Sequence, residues 1–457
     1  MNIIIVGAGQ VGASLSKNLQ NDHNISLIDV NPKKLSDLQV RYDIKTVCGS
    51  GAHPNILALA GANDADMLIA VSNNDEVNIV ACQIAFSLFN TPTKVARLRN
   101  KSYSRYPQIF DKDHIPIDLI INPADLVTTR LVRLVEHPGS FQVVDFSDGQ
   151  IQMAGVTLHH ESPLVGMKLS EFRKELPDID ARVVALYRNR KYIEITPDIQ
   201  FNINDDIFFV AAKDDLQTIL LEFQPQQTKI KKIFIAGGGN IGTSLAKTLE
   251  LNFTTKLIER DYNCSQSAAE NLSNTIVLSG DAADTDILES EGIDDIDLFC
   301  AVTNDDEANI MSAMLAKRMG AKSTIALVNS MSYATLIDDG QTIDRALSPQ
   351  RITIGIILTY LRKGEMVNIY SLYNGVCEAL EAVVHGDEKS SPLIGRELGK
   401  ISIPKSVVVG AIVKNNQPMI AHDDIVIEEG DRLILCISNP KDISVVEKIF
   451  QVSPTFL

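Results

Sequence analysis

Continuous apolar runs alternate with amphipathic stretches through the first 138 residues of the chain. Ile3-Ile4-Ile5-Val6, Ile25–Ile28 and Met67–Val71 are apolar at nearly every position rather than at alternate ones. That pattern predicts parallel strands covered on both faces. After the first run, Val11, Leu15 and Leu19 recur at i, i+4 and i+8, the stripe of a helix packed on a sheet. Strand–helix–strand order of this kind predicts a doubly wound α/β sheet. Residues 140–222 have another texture, with short strand runs between turns. Val183–Tyr187 before Arg188-Asn189-Arg190-Lys191 predicts a hairpin, and Phe208–Ala211 a later strand, in a small α+β domain.

The chain then repeats itself. Gly7-Ala8-Gly9-Gln10-Val11-Gly12 reappears 230 residues later as Gly237-Gly238-Gly239-Asn240-Ile241-Gly242, and Asp29 maps onto Glu259. Ile241, Leu245 and Leu249 renew the helix stripe. With one inserted residue, Ala70–Glu76 maps onto Ala301–Glu307, and Ser162–Gly166 maps onto Ser391–Gly395. Val407–Val413 before Lys414-Asn415-Asn416-Gln417 repeats the hairpin, with Leu433–Ile437 as the later strand. A near-constant offset over the whole length is duplication. The expected domains are therefore 1–138, 139–225, 229–362 and 363–457: two tandem doubly wound Rossmann-like domains, each followed by a small α+β domain. Gln224-Pro225-Gln226-Gln227 is the polar joint between the copies.

Pro123 and Pro349 each introduce a helix between the two parts of a copy, a position where proline's missing N–H costs nothing. In the second of these helices Ile352, Ile354, Ile356, Ile357, Leu358 and Leu361 are apolar nearly all round. Such a helix is expected to be buried, either in its own domain or between subunits.

Composition narrows the function classes. Of 457 residues, 45% are hydrophobic and 22% charged, as in ordinary soluble proteins. A net charge of −16 argues against unaided binding to nucleic acid or anionic membrane. The six cysteines form no CxxC, which argues against zinc or disulfide frameworks and fits a reducing cytosol. The start at Ile3–Val6 has no signal-peptide pattern, and no apolar stretch approaches the length of a membrane span. Any work at a membrane is expected to be that of a cytosolic partner.

The sharpest chemical signal is GxGxxG directly after a strand, with an acid about 20 residues on. Gly7 permits the tight turn, Gly9 lets a pyrophosphate approach the backbone, and Gly12 lets helix pack on strand. The helix N-terminus offers free N–H groups to phosphates. Asp29 is placed to accept hydrogen bonds from an adenosine ribose, and a carboxylate there repels a 2′-phosphate, favouring NAD over NADP. Ser72–Glu76 and Thr303–Glu307 follow the fourth strand. Ser72 or Thr303 as N-cap with acids in the first turn is one reading, and the ligand crevice at the strand end is the other. Both hold together, with ligand contact expected at Val71, Ser72 and Thr303 and capping at Asp75 and Glu76. Gly49-Ser50-Gly51 and Gly280-Asp281-Ala282 end the third strands, either as plain turns or as adenine contacts. Arg97, alone in an apolar strand run, is explained by a phosphate partner or by a surface-pointing edge position. Its aligned position is Leu327, so its role is expected to belong to the first site only.

What the duplication repeats is nucleotide-site residues and structural turns, not a catalytic acid, base or nucleophile, and the eight histidines do not recur at equivalent places. No GxSxG, HExxH or P-loop lysine motif occurs.

The chain resembles the TrkA family, the cytosolic NAD-binding regulatory subunits of bacterial Trk potassium uptake systems, which carry two RCK (regulator of K⁺ conductance) domains. The residues that carry the resemblance are Ile4–Gly12, Ala301–Ala321, Ala382–Glu388 and Ile427–Asp431. The resemblance implies Rossmann-like RCK N domains, each followed by an RCK C domain. It also implies a non-enzymatic regulator, peripheral on the cytoplasmic face of the inner membrane. Its implied partner is an integral membrane potassium transporter subunit, under which a homo-tetramer forms a ring of eight RCK domains. The ligand implied is NAD(H), with ATP or ADP as alternatives. The nucleotide positions implied are Gly7, Ala8, Gly9, Gln10, Val11, Asp29, Ser50, Val71, Ser72 and Arg97, then Gly237, Gly238, Gly239, Asn240, Ile241, Glu259, Asp281 and Thr303. Leu327 opposite Arg97 departs from symmetry and leaves the second site's phosphate contacts open. Two rival classes remain. An NAD-dependent oxidoreductase needs a proton donor beside the nicotinamide, and none is duplicated. A DNA-binding regulator needs a basic recognition helix, which is not evident.

Overall fold

The computed structural model describes residues 1–450 apart from 112, 176–179, 225–228, 331–332, 334–342, 362–365 and 374–375. Most of the polar joint at Gln224–Gln227 thus lies outside the described residues. In the first copy, β1 (Asn2–Val6), α1 (Gln10–Leu19), β2 (Asn24–Asp29), α2 (Pro32–Arg41), β3 (Lys45–Cys48), α3 (Pro54–Ala60), β4 (Met67–Ala70), α4 (Asp75–Phe89), β5 (Thr93–Arg97), α5 (Lys101–Ser104) and β6 (Leu119–Ile121) follow in order. The strands form one parallel sheet, β3-β2-β1-β4-β5-β6. This is the doubly wound order whose direction reverses beside β1, where such sheets bind ligands.

A long helix, α6 (Pro123–Glu136), leads into β7 (Ser140–Phe146), β8 (Ile151–Thr157), α7 (Leu169–Glu175), β9 (Ala181–Arg188), β10 (Lys191–Tyr192), β11 (Asp206–Ala212) and α8 (Lys213–Phe223). These strands pair antiparallel in the order β10-β9-β11-β8-β7. The predicted hairpin is present: Asn189 and Arg190 have φ of 51° and 62°, the left-handed pair that a tight two-residue connection requires.

The second copy repeats the plan. A parallel sheet is built from β12 (Lys232–Ala236), α9 (Asn240–Leu249), β13 (Thr254–Glu259), α10 (Tyr262–Asn271), β14 (Ile276–Ser279), α11 (Thr285–Ser290), β15 (Leu298–Ala301), α12 (Asp306–Arg318), β16 (Ser323–Leu327) and β17 (Arg345–Leu347). Next come α13 (Pro349–Leu361) and the antiparallel β18 (Met366–Leu372), β19 (Cys377–Val383), β20 (Val407–Lys414), β21 (Gln417–Ile420) and β22 (Arg432–Ile437), then α14 (Ile443–Phe450). The Asn415-Asn416 turn, with φ of 50° and 64°, repeats the first hairpin.

The two copies interlock through α6 and α13. Alternation along β1 sends Ile4 and Val6 to the face covered by α3 and α4, where Leu57, Ala81 and Ala85 meet them. Ile3 and Ile5 point the other way, into a core with Leu15 of α1 and with Ile354 and Ile357 of α13. Reciprocally, Ile233 and Ile235 of β12 share a core with Val127, Leu131, Leu134 and Val135 of α6. The helices also pack on each other. Polar pins fix the register: Gln350 Nε2 donates to the Gln10 carbonyl at 3.0 Å and to Ser14 Oγ at 2.9 Å, and Lys101 Nζ to Ser244 Oγ at 2.8 Å. The expectation that α13 is buried in its own domain or between subunits is therefore corrected. It is buried in the other copy of the same chain, because that copy's sheet has an apolar face which its own helices only partly cover.

The strand-rich domains also pair face to face. Val144, Tyr187, Phe208 and Val210 of the first pack with Leu372, Ala379, Ala411 and Ile434 of the second. Tyr187 stacks on Tyr373 with ring centroids 4.7 Å apart. The fully buried Glu381 meets Arg432 at 3.2 Å and accepts from Ser147 of the other domain.

Leu131 belongs to the first copy yet lies fully buried in the second copy's core. Leu131→Ala is expected to cost about 2–5 kcal/mol and to lower amide-exchange protection in β12, β13 and β15. Loss confined to residues 1–121 would show that α6 stabilises its own domain instead.

Candidate functional site

Both glycine turns are built to one plan. Gly7 has φ +108°, and a Cβ there would lie 2.8 Å from the backbone of Ser72. A Cβ on Gly12 would lie 1.9 Å from the Gly7 carbonyl oxygen. In the second copy Gly237 has φ +112°, and a Cβ on Gly242 would fall 1.8 Å from the Gly237 carbonyl. Gly9 and Gly239 differ: a Cβ on either would meet nothing within 4 Å. The first and last glycines thus close the turn, and the middle one leaves open space over it. Gly9 and Gly239 are also the N-caps of α1 and α9, with no side chain satisfying the first N–H groups. By contrast Asn31 caps α2 and Asn74 caps α4. Free N–H groups at Gln10, Val11, Asn240 and Ile241, facing open space at a helix N-terminus, fit a phosphate group.

The acids are tied to these turns. Asp29 Oδ2 accepts from Ala8 N at 2.7 Å and Oδ1 from Asn31 N at 2.8 Å. Glu259 repeats this with Gly238 N at 2.6 Å and Asp261 N at 2.8 Å. The longer acid fits because position 238 is glycine, since a Cβ there would lie 2.9 Å from Glu259 Cβ. Ala8 with Asp29 and Gly238 with Glu259 are size-matched pairs. At the ends of β3 and β14, Ser50 Oγ accepts from Ala52 N at 3.3 Å and Asp281 Oδ1 from Ala283 N at 2.9 Å. Val71 is buried, its N–H donating to Val6 O at 2.9 Å.

At the ends of β4 and β15 the structure corrects the capping assignment. Ser72 and Thr303 do not cap the following helices. Asn74 and Asp305 do, accepting from Val77 N and Ala308 N. The Ser72 hydroxyl donates instead to Asn78 Oδ1 at 2.7 Å, and Thr303 to Asn309 Oδ1 at 2.6 Å. Asn78 and Asn309 are fully buried, and each amide nitrogen bridges two carbonyls, those of Ser72 and Arg97 or of Thr303 and Leu327. They lock the crevice floor to the neighbouring strand. Their signal was present in the sequence, as an asparagine at the same place in both copies. Asp75 is not chiefly a cap either: its carboxylate accepts from the backbone of Arg99 and Asn100, while Glu76 accepts from the Tyr103 hydroxyl. Asp306 and Glu307 repeat both roles with Asn329, Ser330 and Tyr333.

Arg97 is neither at a sheet edge nor on the surface. It ends β5, an interior strand, and is only 7% exposed. Its Nη2 donates to Ser72 O at 2.9 Å and Asn73 Oδ1 at 3.1 Å, while Nε is buried without an acceptor. Burial, and then the charge of nearby Arg99, bring its pKa down to about 10.

A cavity of about 630 Å³ lies between the copies. Its lining includes Gly237, Gly239, Asn240, Ile241, Glu259, Arg260, Asp281 and Thr303 of the second copy. The lining also includes Gln10, Val11, Arg97, Arg99 and Asn122 of the first copy and Gln350 of α13. Gly7, Ala8, Asp29 and Ser72 are gathered by the contacts described above and do not line this cavity. Arg97 lines this cavity together with residues of both glycine turns, while its guanidinium hydrogen-bonds at Ser72 and Asn73 of the first copy. Arg99, Asn122 and Gln350 were not identifiable from local motifs, because they reach the cavity only through the packing of one copy on the other. Exposed Cys264 also lines it, and a hydrogen bond to Asp261 raises the thiol pKa.

Comparison with known proteins places this geometry. The TrkA-N domain model matches residues 3–123 and 233–349, and the TrkA-C domain model matches residues 153–224 and 388–451. The Trk system potassium uptake protein TrkA of Halomonas elongata is 44% identical over the whole of both chains. That of Vibrio alginolyticus is 46% identical, also over the whole of both. Among solved structures, a GsuK channel bound to NAD superposes with a TM-score of 0.63 at 17% identity, covering 98% of this chain and 78% of that one. The GsuK RCK domain has the same score and identity, covering 98% of this chain and 94% of its own. At that identity the likeness is one of fold.

The glycine geometry separates structural from ligand-facing positions. Gly12→Ala is expected to cost about 1–3 kcal/mol, because backbone must move to admit the methyl group. Gly9→Ala is expected to leave thermal stability nearly unchanged. Equal losses in thermal unfolding would refute that division.

Proposed function

We propose that this chain, which belongs to the TrkA family of Trk potassium uptake systems, is a nucleotide-binding regulatory subunit that gates a membrane potassium transporter. The observation that carries the nucleotide half of this reading is the duplicated turn. Twice, an uncapped helix N-terminus faces open space beside a carboxylate held in place by the turn's own backbone.

In this reading NAD(H) binds the first crevice at Gly7–Val11, Asp29, Ser50, Val71, Ser72 and Arg97. The second crevice binds NAD(H), ATP or ADP at Gly237–Ile241, Glu259, Asp281 and Thr303. The nucleotide is an effector and is not turned over, because what the duplication preserves is turns and ribose acids, not proton donors or nucleophiles. The four domains are bounded as the repeat places them, at 138, 225–229 and 362. No helix among the described residues is long and apolar enough to cross a membrane. A separate integral membrane subunit therefore conducts the ion, and this chain sits on the cytoplasmic face of the inner membrane. Assembly into a tetrameric ring of eight domains is supported by apolar positions that the fold leaves exposed on equivalent helices: Val80 and Leu88 of α4, and Met311 of α12.

Gly9→Val is expected to abolish NADH binding at the first crevice, since a side chain over the turn blocks the pyrophosphate. Titration calorimetry on the full chain checks this, and an unchanged isotherm would remove the first site from the reading. A strain lacking the gene is expected to grow poorly at low external potassium and to recover when potassium is added. Normal uptake in that strain would overturn the transport role, and steady NADH oxidation by the pure protein would favour an oxidoreductase.

A further inference from the structure

We propose that Arg130 and Arg345 form a separate anion site, away from both glycine turns, that takes a phosphate group at the junction of α6, β17 and β7.

Arg130, Arg133 and His137 recur at i, i+3 and i+7 and so share one flank of α6 and its C-terminal end. Arg345 stands on β17, the edge strand of the second copy's parallel sheet, and donates to the Ser140 carbonyl at the start of β7. The guanidiniums lie close enough to oppose one another. Burial first, and then the charges of Arg133 and Arg345, bring the Arg130 pKa down to about 10. Burial brings Arg345 down to about 10 as well.

The carboxylates nearby are already engaged. Asp145 accepts from Arg133 Nη2 at 2.6 Å and from Gln152 Nε2 at 2.8 Å. Asp344 holds Lys317 Nζ with both oxygens at 2.9 Å and accepts from Thr324 N at 2.8 Å. Arg130 makes no hydrogen bond or ion pair among the described residues, and its Nε is buried without an acceptor. His137 Nδ1, on the same flank, is likewise buried without a partner. With 58 acids against 42 lysines and arginines, the chain has no shortage of carboxylates to pair with Arg130. A desolvated charge without a partner is costly, and an anion from solution removes that cost. Arg130 and Arg345 are only half-buried, so solvent reaches them.

The ligand class follows from the donors. Guanidinium N–H groups form a planar fork that matches phosphate oxygens. Two such groups balance a doubly charged oxyanion, and a tetrahedral one offers oxygens to both forks. None of Arg130, Arg133, His137 and Arg345 lines the cavity between the glycine turns. An anion held here joins α6 of the first copy to the edge strand of the second, which Arg345 already ties to the first strand-rich domain.

Calorimetric titration of the full chain with inorganic phosphate tests the proposal. Binding is expected to persist in Gly9→Val, Gly239→Val, which obstructs both turns, and to be competed by sulfate but not by chloride. Arg130→Gln is expected to weaken phosphate about ten- to a hundredfold and to leave NADH affinity unchanged. In phosphate-free buffer it should also raise the unfolding temperature, because it removes an unneutralised charge. Arg345→Lys, which keeps the charge but loses the fork, should weaken phosphate less. Co-sedimentation with phosphatidic acid vesicles that Arg130→Gln abolishes would identify a lipid headgroup as the source, and phosphate binding without it a free anion. Unchanged phosphate affinity in Arg130→Gln would overturn the proposal, as would a wild-type chain that binds no phosphate. A lowered unfolding temperature of Arg130→Gln in phosphate-free buffer would make the residue structural and overturn it too.

Discussion

Each parallel sheet is apolar on both faces, and each depends on the other copy to cover one of them. Ile3 and Ile5 are shielded by Ile354 and Ile357, and Ile233 and Ile235 by Leu131 and Leu134. Removing apolar surface from water is the main driving force of folding, so neither sheet is fully buried in isolation. The reciprocal exchange of α6 and α13 turns two similar domains into one unit. Everything else about the molecule follows from where that exchange puts the two crevices.

The helices that bury the sheets also border the nucleotide sites. Pro123 and Pro349 begin α6 and α13, and both line the cavity between the copies. Gln350 reaches from α13 to the carbonyl of Gln10, a residue of the first glycine turn. A ligand that shifts either turn therefore presses on a helix belonging to the other copy, and that helix continues into a strand-rich domain. The pairing of those domains is likewise specific, since the buried Glu381 and the stacked Tyr187 and Tyr373 fit only one register. A regulator has to transmit a local binding event over distance, and a contiguous packed path of this kind is what such coupling requires.

Duplication has kept the crevice frameworks nearly identical while the charges have diverged. The buried asparagines Asn78 and Asn309 make the same four hydrogen bonds. The acids differ by one methylene, which Gly238 absorbs. Against that constant frame, arginines at 97 and 99 stand opposite leucine and asparagine at 327 and 329. Hydrogen bonds satisfying buried amides are costly to lose, which resists change in the floor. Arg99 is exposed and carries no such penalty, whereas Arg97 is buried and tied to Ser72 and Asn73.

Local order was legible in the sequence. Period-2 and period-3.6 patterning, the GxGxxG turns, the Asp29 and Glu259 positions and the two hairpins are set by neighbours within a few residues, so the chain alone determined them. The duplication placed them twice and gave the fold class. The N-caps were misplaced by two residues, because Ser72 and Asn74 are both good caps and only the buried amide of Asn78 decides which hydroxyl or carbonyl is free. The partner of α13 and the cavity that residues of both copies line together were beyond local reading. Both depend on how one copy docks on the other, a contact between residues more than 100 positions apart, and apolar periodicity reports that a face is buried without reporting what buries it. The tertiary structure alone decided those two points.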